Sequence, residues 1–216
     1  MIPFLTALAL ALAAPPDDDL GTYPLDDFGR TVPVKGKMQC PDVPRQDYRG
    51  VTLHWSSPLS VHAAFATRLA RFEALLAELA TRFYGRPPSK IRHLGSFNCR
   101  RIARYPDLLS EHGLANAIDV SGFDFPALDR PAAKTSTLPK PLRRAFRVTV
   151  LGDWNAAATD APANSSAAAI HAAFLRALTD ALTARADIFR VLLGPAYPGH
   201  KDHFHFDMAP YRLIVL

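Results

Sequence analysis

Between Ser60 and Tyr84 the apolar positions recur at steps of three and four, at Val61, Phe65, Leu69, Phe72, Leu75, Leu76, Leu79 and Phe83. That spacing predicts a helix with one buried face. Gly85 and Pro87-Pro88 supply its stop signal. A second helix is predicted from about Ser166 to Ala184, with Ile170, Phe174, Leu178 and Leu182 on its apolar side. The remaining ordered pattern is short and β-like, at Ile91 to Phe97, Ala115 to Ser121, Arg147 to Leu151, Phe189 to Leu193 and His203 to Met208. Two principal helices with several short strands predict an α+β fold built on a small, mainly antiparallel sheet.

The stretches between these elements lack a period. Residues 15–50 are rich in Pro, Asp and Gly and predict an irregular lead-in, of which 15–37 precedes a domain spanning 38–216. Residues 122–146 are rich in Pro, Lys and Arg and read as an excursion or lid-like loop, and 156–168 as a loop feeding the second helix. No internal repeat is visible.

A chain of 216 residues that is 49% apolar and 21% charged is sufficient for one sizeable core. At its start, Met1 to Ala14 is an apolar run ending in small residues before Pro15-Pro16 and Asp17-Asp18-Asp19. It reads as a secretory signal cleaved near Ala13 or Ala14, which implies a secreted or periplasmic protein. No Lys or Arg precedes the run, so a lipid-facing anchor or a frayed helix is the competing reading. The run is too short to span a bilayer comfortably, and no stable span is expected of the mature chain. Two cysteines, Cys40 and Cys99, either pair in an oxidising compartment or sit as buried thiols.

The net charge of +5, with arginines clustered at Arg100, Arg101 and Arg104 and at Arg143, Arg144 and Arg147, implies attraction to anionic polymers. No nucleic-acid module or interleaved aromatic and basic run appears, so nucleic acid is not an expected partner. Bacterial wall polymers fit the charge as well, and an ordinary solvated surface is the alternative for either cluster.

The chemistry concentrates in two segments, SEHGLANAID (Ser110 to Asp119) and HKDHFHFD (His200 to Asp207). They supply His112, Asp119 and His205, a plausible two-histidine, one-carboxylate zinc site. Imidazole and carboxylate suit Zn²⁺, and three protein ligands leave a fourth position open, the arrangement of catalytic rather than structural zinc. His203 and His205 lie two apart in a strand-like run and point to one side, with Phe204 and Phe206 toward the core. Asp119 lies mid-strand, where an unpaired buried carboxylate is costly and a cation beside it gives a reason for its presence. Gly113 is expected to allow a tight turn after His112. The other reading pairs Asp119 with an arginine and leaves the histidines as satisfied core groups, but four histidines in two compact segments with an aspartate weigh against it. His54, His62, His93 and His171 are isolated and carry no assigned chemistry.

SEHGLANAID followed downstream by DHFHFD resembles the Ser-x-His-x-x-Gly-x-Ala-x-Asp and His-x-His motifs of the LAS zinc peptidases, which include D-Ala-D-Ala carboxypeptidases, D-Ala-D-Ala dipeptidases and penicillin-insensitive murein endopeptidases. Within that group the chain looks most like the bacterial extensin-like C-terminal domain, through GSFNCR (Gly95 to Arg100), the Ser110 to Asp119 segment, and LGP (Leu193 to Pro195) before His200 to His205. The resemblance spans roughly 38–209. It implies the LAS (hedgehog/DD-peptidase-like) fold, His112, Asp119 and His205 as zinc ligands, and Arg100 as the group that holds a substrate carbonyl or developing oxyanion. For the general base it points to Asp202, where dipeptidase relatives carry Glu, or to His203 and His200, as in murein endopeptidase relatives. Asp is one methylene shorter than Glu, so its reach to the attacking water is the open question. Residues 186–189 lack the further cysteine frequent in extensin-like relatives, which leaves Cys40 with Cys99 as the implied bridge.

The resemblance therefore implies an exported zinc-dependent hydrolase of peptidoglycan peptide amide bonds, a metallopeptidase acting on peptidoglycan or another anionic wall polymer. A non-catalytic, metal-bearing wall-binding or structural module is the main alternative. A zinc esterase or amidase on another exported substrate is a third.

Overall fold

The computed structural model describes residues 23–155 and 166–216. The N-terminal run read as a signal and most of the 156–168 loop lie outside the described residues. In chain order the elements begin with β1 (Gln46–Tyr48), β2 (Leu59–Val61), the long helix α1 (Ala63–Tyr84) and β3 (Lys90–Gly95). A small hairpin, β4 (Arg101–Ile102) and β5 (Tyr105–Leu109), leads through a 3-10 turn at Glu111–Leu114 into β6 (Ala117–Phe125). Then come α2 (Arg130–Thr135), β7 (Phe146–Thr149), α3 (Val150–Asp153), α4 (Ala167–Thr183), β8 (Val191–Leu193), β9 (Phe204–Asp207) and β10 (Leu213–Val215).

The main sheet has the order β10-β8-β9-β6-β3, with β7 also paired to β6. Every pair is antiparallel except β10 with β8. The fold is α+β with a mainly antiparallel sheet and four α-helices among the described residues, two of them long. Strand β6 is the axis, because its nine residues pair with β9 at Ala117–Val120, with β7 at Gly122–Phe125 and with β3 on its other side. Its continuation past Ser121 requires Gly122, since a Cβ there would lie 2.3 Å from the Val148 carbonyl oxygen.

Helices α1 and α4 cover one face of this sheet. Phe65, Leu69, Phe72 and Leu76 of α1 and Phe174, Leu178 and Leu182 of α4 are buried, as the apolar spacing requires. Phe206 lies 5.9 Å from Phe72 and stacks on Phe189 at 5.0 Å, and Phe123 meets Phe174 edge-on at 5.7 Å. Helix α1 begins three residues later than the periodicity suggests, because Leu59–Val61 pairs with β1, and His62 then caps the helix by accepting the Ala64 amide. Gly85 ends it in the left-handed conformation, φ 70°.

Residues 126–145 are an excursion but not a lid. Buried Arg86 donates to the carbonyls of Tyr84, Pro126, Leu142 and Arg144, and Leu142 is buried beneath it. The excursion leaves β6 at Phe125, six residues beyond Asp119, a distance of about 20 Å along an extended strand. The RVTVL run is strand only to Thr149, whose hydroxyl caps α3. The lead-in is irregular until β1, and Cys40 is bonded to Cys99, a bridge 59 residues apart in sequence. On the chain-entropy account such a bridge contributes about 4 kcal/mol. No helix among the described residues is long and apolar enough to cross a membrane.

A polar hub fastens the β1–β2 region to α1. Glu73 is wholly buried, and its carboxyl accepts from the Tyr48 hydroxyl (2.7 Å), the Trp55 indole N–H (2.7 Å) and the amides of Val51, Thr52 and Leu53. Removing it leaves five donors unpaired, each of which costs more unsatisfied than it contributes when bonded. Glu73→Ala is expected to lower stability in urea denaturation by about 3 kcal/mol or more, with Glu73→Gln intermediate. A change within about 0.5 kcal/mol would show that the hub is dispensable.

Candidate metal centre

The pairing of β6 with β9 sets Asp119 directly opposite His205, Ile118 opposite Phe206 and Ala117 opposite Asp207. Alternation along the strands turns Ile118, Phe204 and Phe206 toward the helices. Asp119, His203, His205 and Asp207 take the other face. His112 arrives from the 3-10 turn between β5 and β6, which closes on Ala115 in the left-handed region at φ 52°. The positive φ therefore falls on Ala115 and not on Gly113. Gly113 is required by packing instead, because a Cβ there would lie 2.7 Å from Leu109 Cδ1 and 2.8 Å from Cys40 Sγ.

The side chains of His112, Asp119 and His205 converge. His205 Nδ1 is 2.9 Å and His112 Nε2 is 3.2 Å from Asp119 Oδ1, and the two nitrogens are 3.1 Å apart. The outer nitrogen of each ring is already committed. His112 Nδ1 faces the Ser96 carbonyl oxygen at 2.5 Å, an acceptor only, so that nitrogen carries the proton. His205 Nε2 faces Asp207 Oδ2 at 2.7 Å and donates to it. With both rings neutral, the two inner nitrogens therefore present lone pairs to a carboxylate oxygen, three acceptors with no donor among them. Such a cluster needs a positive charge at its centre, either a further proton on an imidazole or a metal cation.

The electrostatics follow from this crowding. Burial by itself favours neutral imidazole at His205, but its bonds to Asp119 and Asp207 raise its pKa to about 9. Burial would likewise raise the Asp119 carboxyl, and the bonds from His112 and His205 outweigh it, holding it well below the usual carboxylate range. Two imidazoles and a carboxylate are a donor set suited to zinc. Atoms about 2.0–2.2 Å from a tetrahedral zinc stand about 3.3–3.6 Å from one another, so the observed triangle, with edges of 2.9, 3.1 and 3.2 Å, is tighter than that spacing and would open by up to several tenths of an ångström around the ion.

The other candidates surround this triangle. His203 Nε2 is 3.7 Å from Asp119 Oδ1, and its Nδ1 is held at 2.8 Å by Asp202 Oδ1. Asp202 is itself 54% exposed and addresses His203 rather than the triangle, and that hydrogen bond lowers its carboxyl pKa. His200 packs its ring 4.8 Å from His203 and 5.8 Å from His205, donates Nδ1–H to the Pro198 carbonyl at 3.2 Å, and is shifted by burial toward its neutral form. Arg100 is exposed and stands on the wall of a cavity that it shares with His200 and His205, outside the ligand triangle.

Several groups that secure the centre escaped the reading of the motifs. Asp207 is in phase with His203 and His205 along β9, and that alternation was its only signal. Glu111, buried, accepts from Arg30 at 2.7 Å and from the Asn116 amide at 2.6 Å, while Tyr23 donates to Asn116 Oδ1 at 2.5 Å. These bonds clamp both sides of the turn that carries His112.

Helices on one face of an antiparallel sheet and a two-histidine, one-carboxylate cluster on the other define an α+β protein with a candidate cation centre. The chain belongs to the family of the extensin-like protein C-terminus, which matches residues 29–152. That stretch contains GSFNCR, His112 and Asp119 and stops before His205. No curated protein and no solved structure matches the chain.

Zinc titration of the purified protein is expected to give one tight equivalent, abolished in His112→Ala and His205→Ala. Asp207→Asn should weaken affinity about 10–100-fold while leaving the ligands in place, because the carboxylate orients the His205 ring. Unchanged affinity in Asp207→Asn would remove it from the centre.

Proposed function

We propose that this protein is an exported zinc-dependent hydrolase of LAS type that cleaves amide bonds in the peptides of peptidoglycan. One observation carries the reading: two imidazole nitrogens and a carboxylate oxygen meet on the sheet face, the outer nitrogen of each imidazole already donates elsewhere, and the cluster therefore needs a proton or a cation at its centre. His112 Nε2, Asp119 Oδ1 and His205 Nδ1 are the atoms that would hold zinc. Bound there, zinc supplies Lewis-acid polarisation of the scissile carbonyl and of water at neutral pH.

His203 takes the role of general base. Its Nδ1 proton is fixed by Asp202, which leaves Nε2 as the lone pair turned to the reacting side. Asp202 is then a positioning residue, and the short reach of aspartate is no handicap, since it needs to touch only the neighbouring ring. His200 packs on His203 and restricts its rotation. Arg100, from the cavity wall, faces the developing negative charge on the carbonyl oxygen. The Cys40–Cys99 bond agrees with export, because disulfides persist in oxidising compartments. The basic balance of the chain, +5, suits an anionic wall polymer as partner.

The test is incubation of purified peptidoglycan sacculi with zinc-loaded protein, followed by chromatography and mass analysis of released fragments. Zinc-dependent products are expected, reduced about 10²–10⁴-fold in His203→Ala. Asp202→Ala should lose less activity and shift the pH–rate profile, which a merely structural role would not do. Protein that loads zinc and sediments with sacculi but releases nothing would instead be the non-catalytic, metal-bearing wall-binding module.

A further inference from the structure

A cavity of about 360 Å³ opens beside the metal centre, between the β4–β5 hairpin and the β8–β10 edge of the main sheet. It reaches His200 and His205 at one end. Its volume is that of a small-ligand site. Its walls are apolar and aromatic, with Leu108 and Leu193 inside and Tyr105, Tyr197, Tyr211 and Leu213 around the mouth. Tyr105, Tyr211 and Leu213 are 51%, 49% and 38% exposed, so three of the eight large exposed hydrophobic residues described in the molecule gather at this one opening. Such clustering marks a binding surface, whereas single exposed apolar residues need no explanation.

The charges around it are divided in a way that selects the ligand. Glu111 and Asp207 line the cavity, but both are buried and saturated, Glu111 by Arg30 and Asn116, Asp207 by His205 and the Ala209 amide. Arg100 and Arg104 line it with exposed guanidinium groups, and among the described residues neither has a carboxylate partner. Arg104 lies over the Tyr197 ring, 5.9 Å from its centroid, which places its charge at the mouth. A cationic ligand would find its complement already neutralised. A carboxylate finds two free arginines.

We propose that this cavity is a binding site for a ligand with an aromatic body and a carboxylate, the ring between the tyrosines and the carboxylate on Arg104, with Arg100 beside it. The inference stands on the cavity alone and does not make this ligand part of the peptide that the centre would cut. It assigns to Arg104 the role of selecting the carboxylate.

The test uses the whole protein, both zinc-loaded and chelator-treated, with circular dichroism to establish that both forms are folded. The probes are the two enantiomers of N-acetyl-phenylalanine, their amides, and N-acetyl-alanine, titrated by calorimetry or ligand-observed NMR. At least one N-acetyl-phenylalanine enantiomer is expected to bind about tenfold or more tightly than its amide and than N-acetyl-alanine, in both forms of the protein. Arg104→Gln should bring the acid down to the affinity of the amide, and Tyr105→Ala should shrink the preference for phenyl over methyl. Equal affinity for acid and amide, equal affinity for phenyl and methyl, or binding confined to the zinc-loaded form would each overturn the proposal. Binding as expected by a protein that leaves sacculi uncut would sink the hydrolase reading alone. Zinc-dependent cleavage of sacculi by a protein without these binding preferences would sink the cavity proposal alone.

Discussion

The register between β6 and β9 is the constraint on which the centre depends. Because Asp119 is paired with His205 and Ile118 with Phe206, one strand pair sends its polar atoms to one face and its aromatic rings to the other. A slip of one residue would exchange the two sets, burying a carboxylate and an imidazole under α1 and exposing two phenylalanines. The register is therefore held by the core itself: Phe206 is fixed by Phe72 and Phe189, and Phe204 by the edge of Trp154 at 5.2 Å. Packing on the helix side and ligand geometry on the other side are two consequences of one alignment.

The third member of the triangle depends on a different device. His112 sits on a turn and not on the sheet, and a turn alone would not hold an imidazole to within a fraction of an ångström. Here the turn is packed against Cys40 and Leu109 through Gly113, and clamped through Glu111 and Asn116 to Arg30 and Tyr23. The Cys40–Cys99 bond fastens the lead-in beside it. Thus the irregular residues before β1 are structural, and they brace the one member of the triangle that the sheet does not position.

How much of this was legible in the sequence depended on whether a feature is local. Helices α1 and α4 were, because Phe65, Leu69, Phe72 and Phe174, Leu178, Leu182 recur with the helical period inside helices of 22 and 17 residues. The His-Phe-His-Phe alternation of β9 showed which side each residue takes. The hairpin β4–β5 and the edge strand β10 were not legible, since two to five residues offer too little pattern, and β10 is defined only by lying beside β8. Glu73, Tyr23 and Arg86 were silent for the same reason. Their partners lie 18 to 25, 93 and 2 to 58 residues away, and nothing local marks them. The role of Asp202 was legible as a candidate but not as a positioning group, because its bond to His203 is a matter of side-chain direction.

X-ray absorption spectroscopy at the zinc edge of the loaded protein would decide whether two imidazoles and one carboxylate form a cation site on the sheet face. One zinc per chain is expected, surrounded only by nitrogen and oxygen at about 2.0–2.2 Å, with the outer-shell scattering of two imidazoles. Failure to retain zinc, a sulfur shell, or a shell of oxygen alone without imidazole scattering would contradict it.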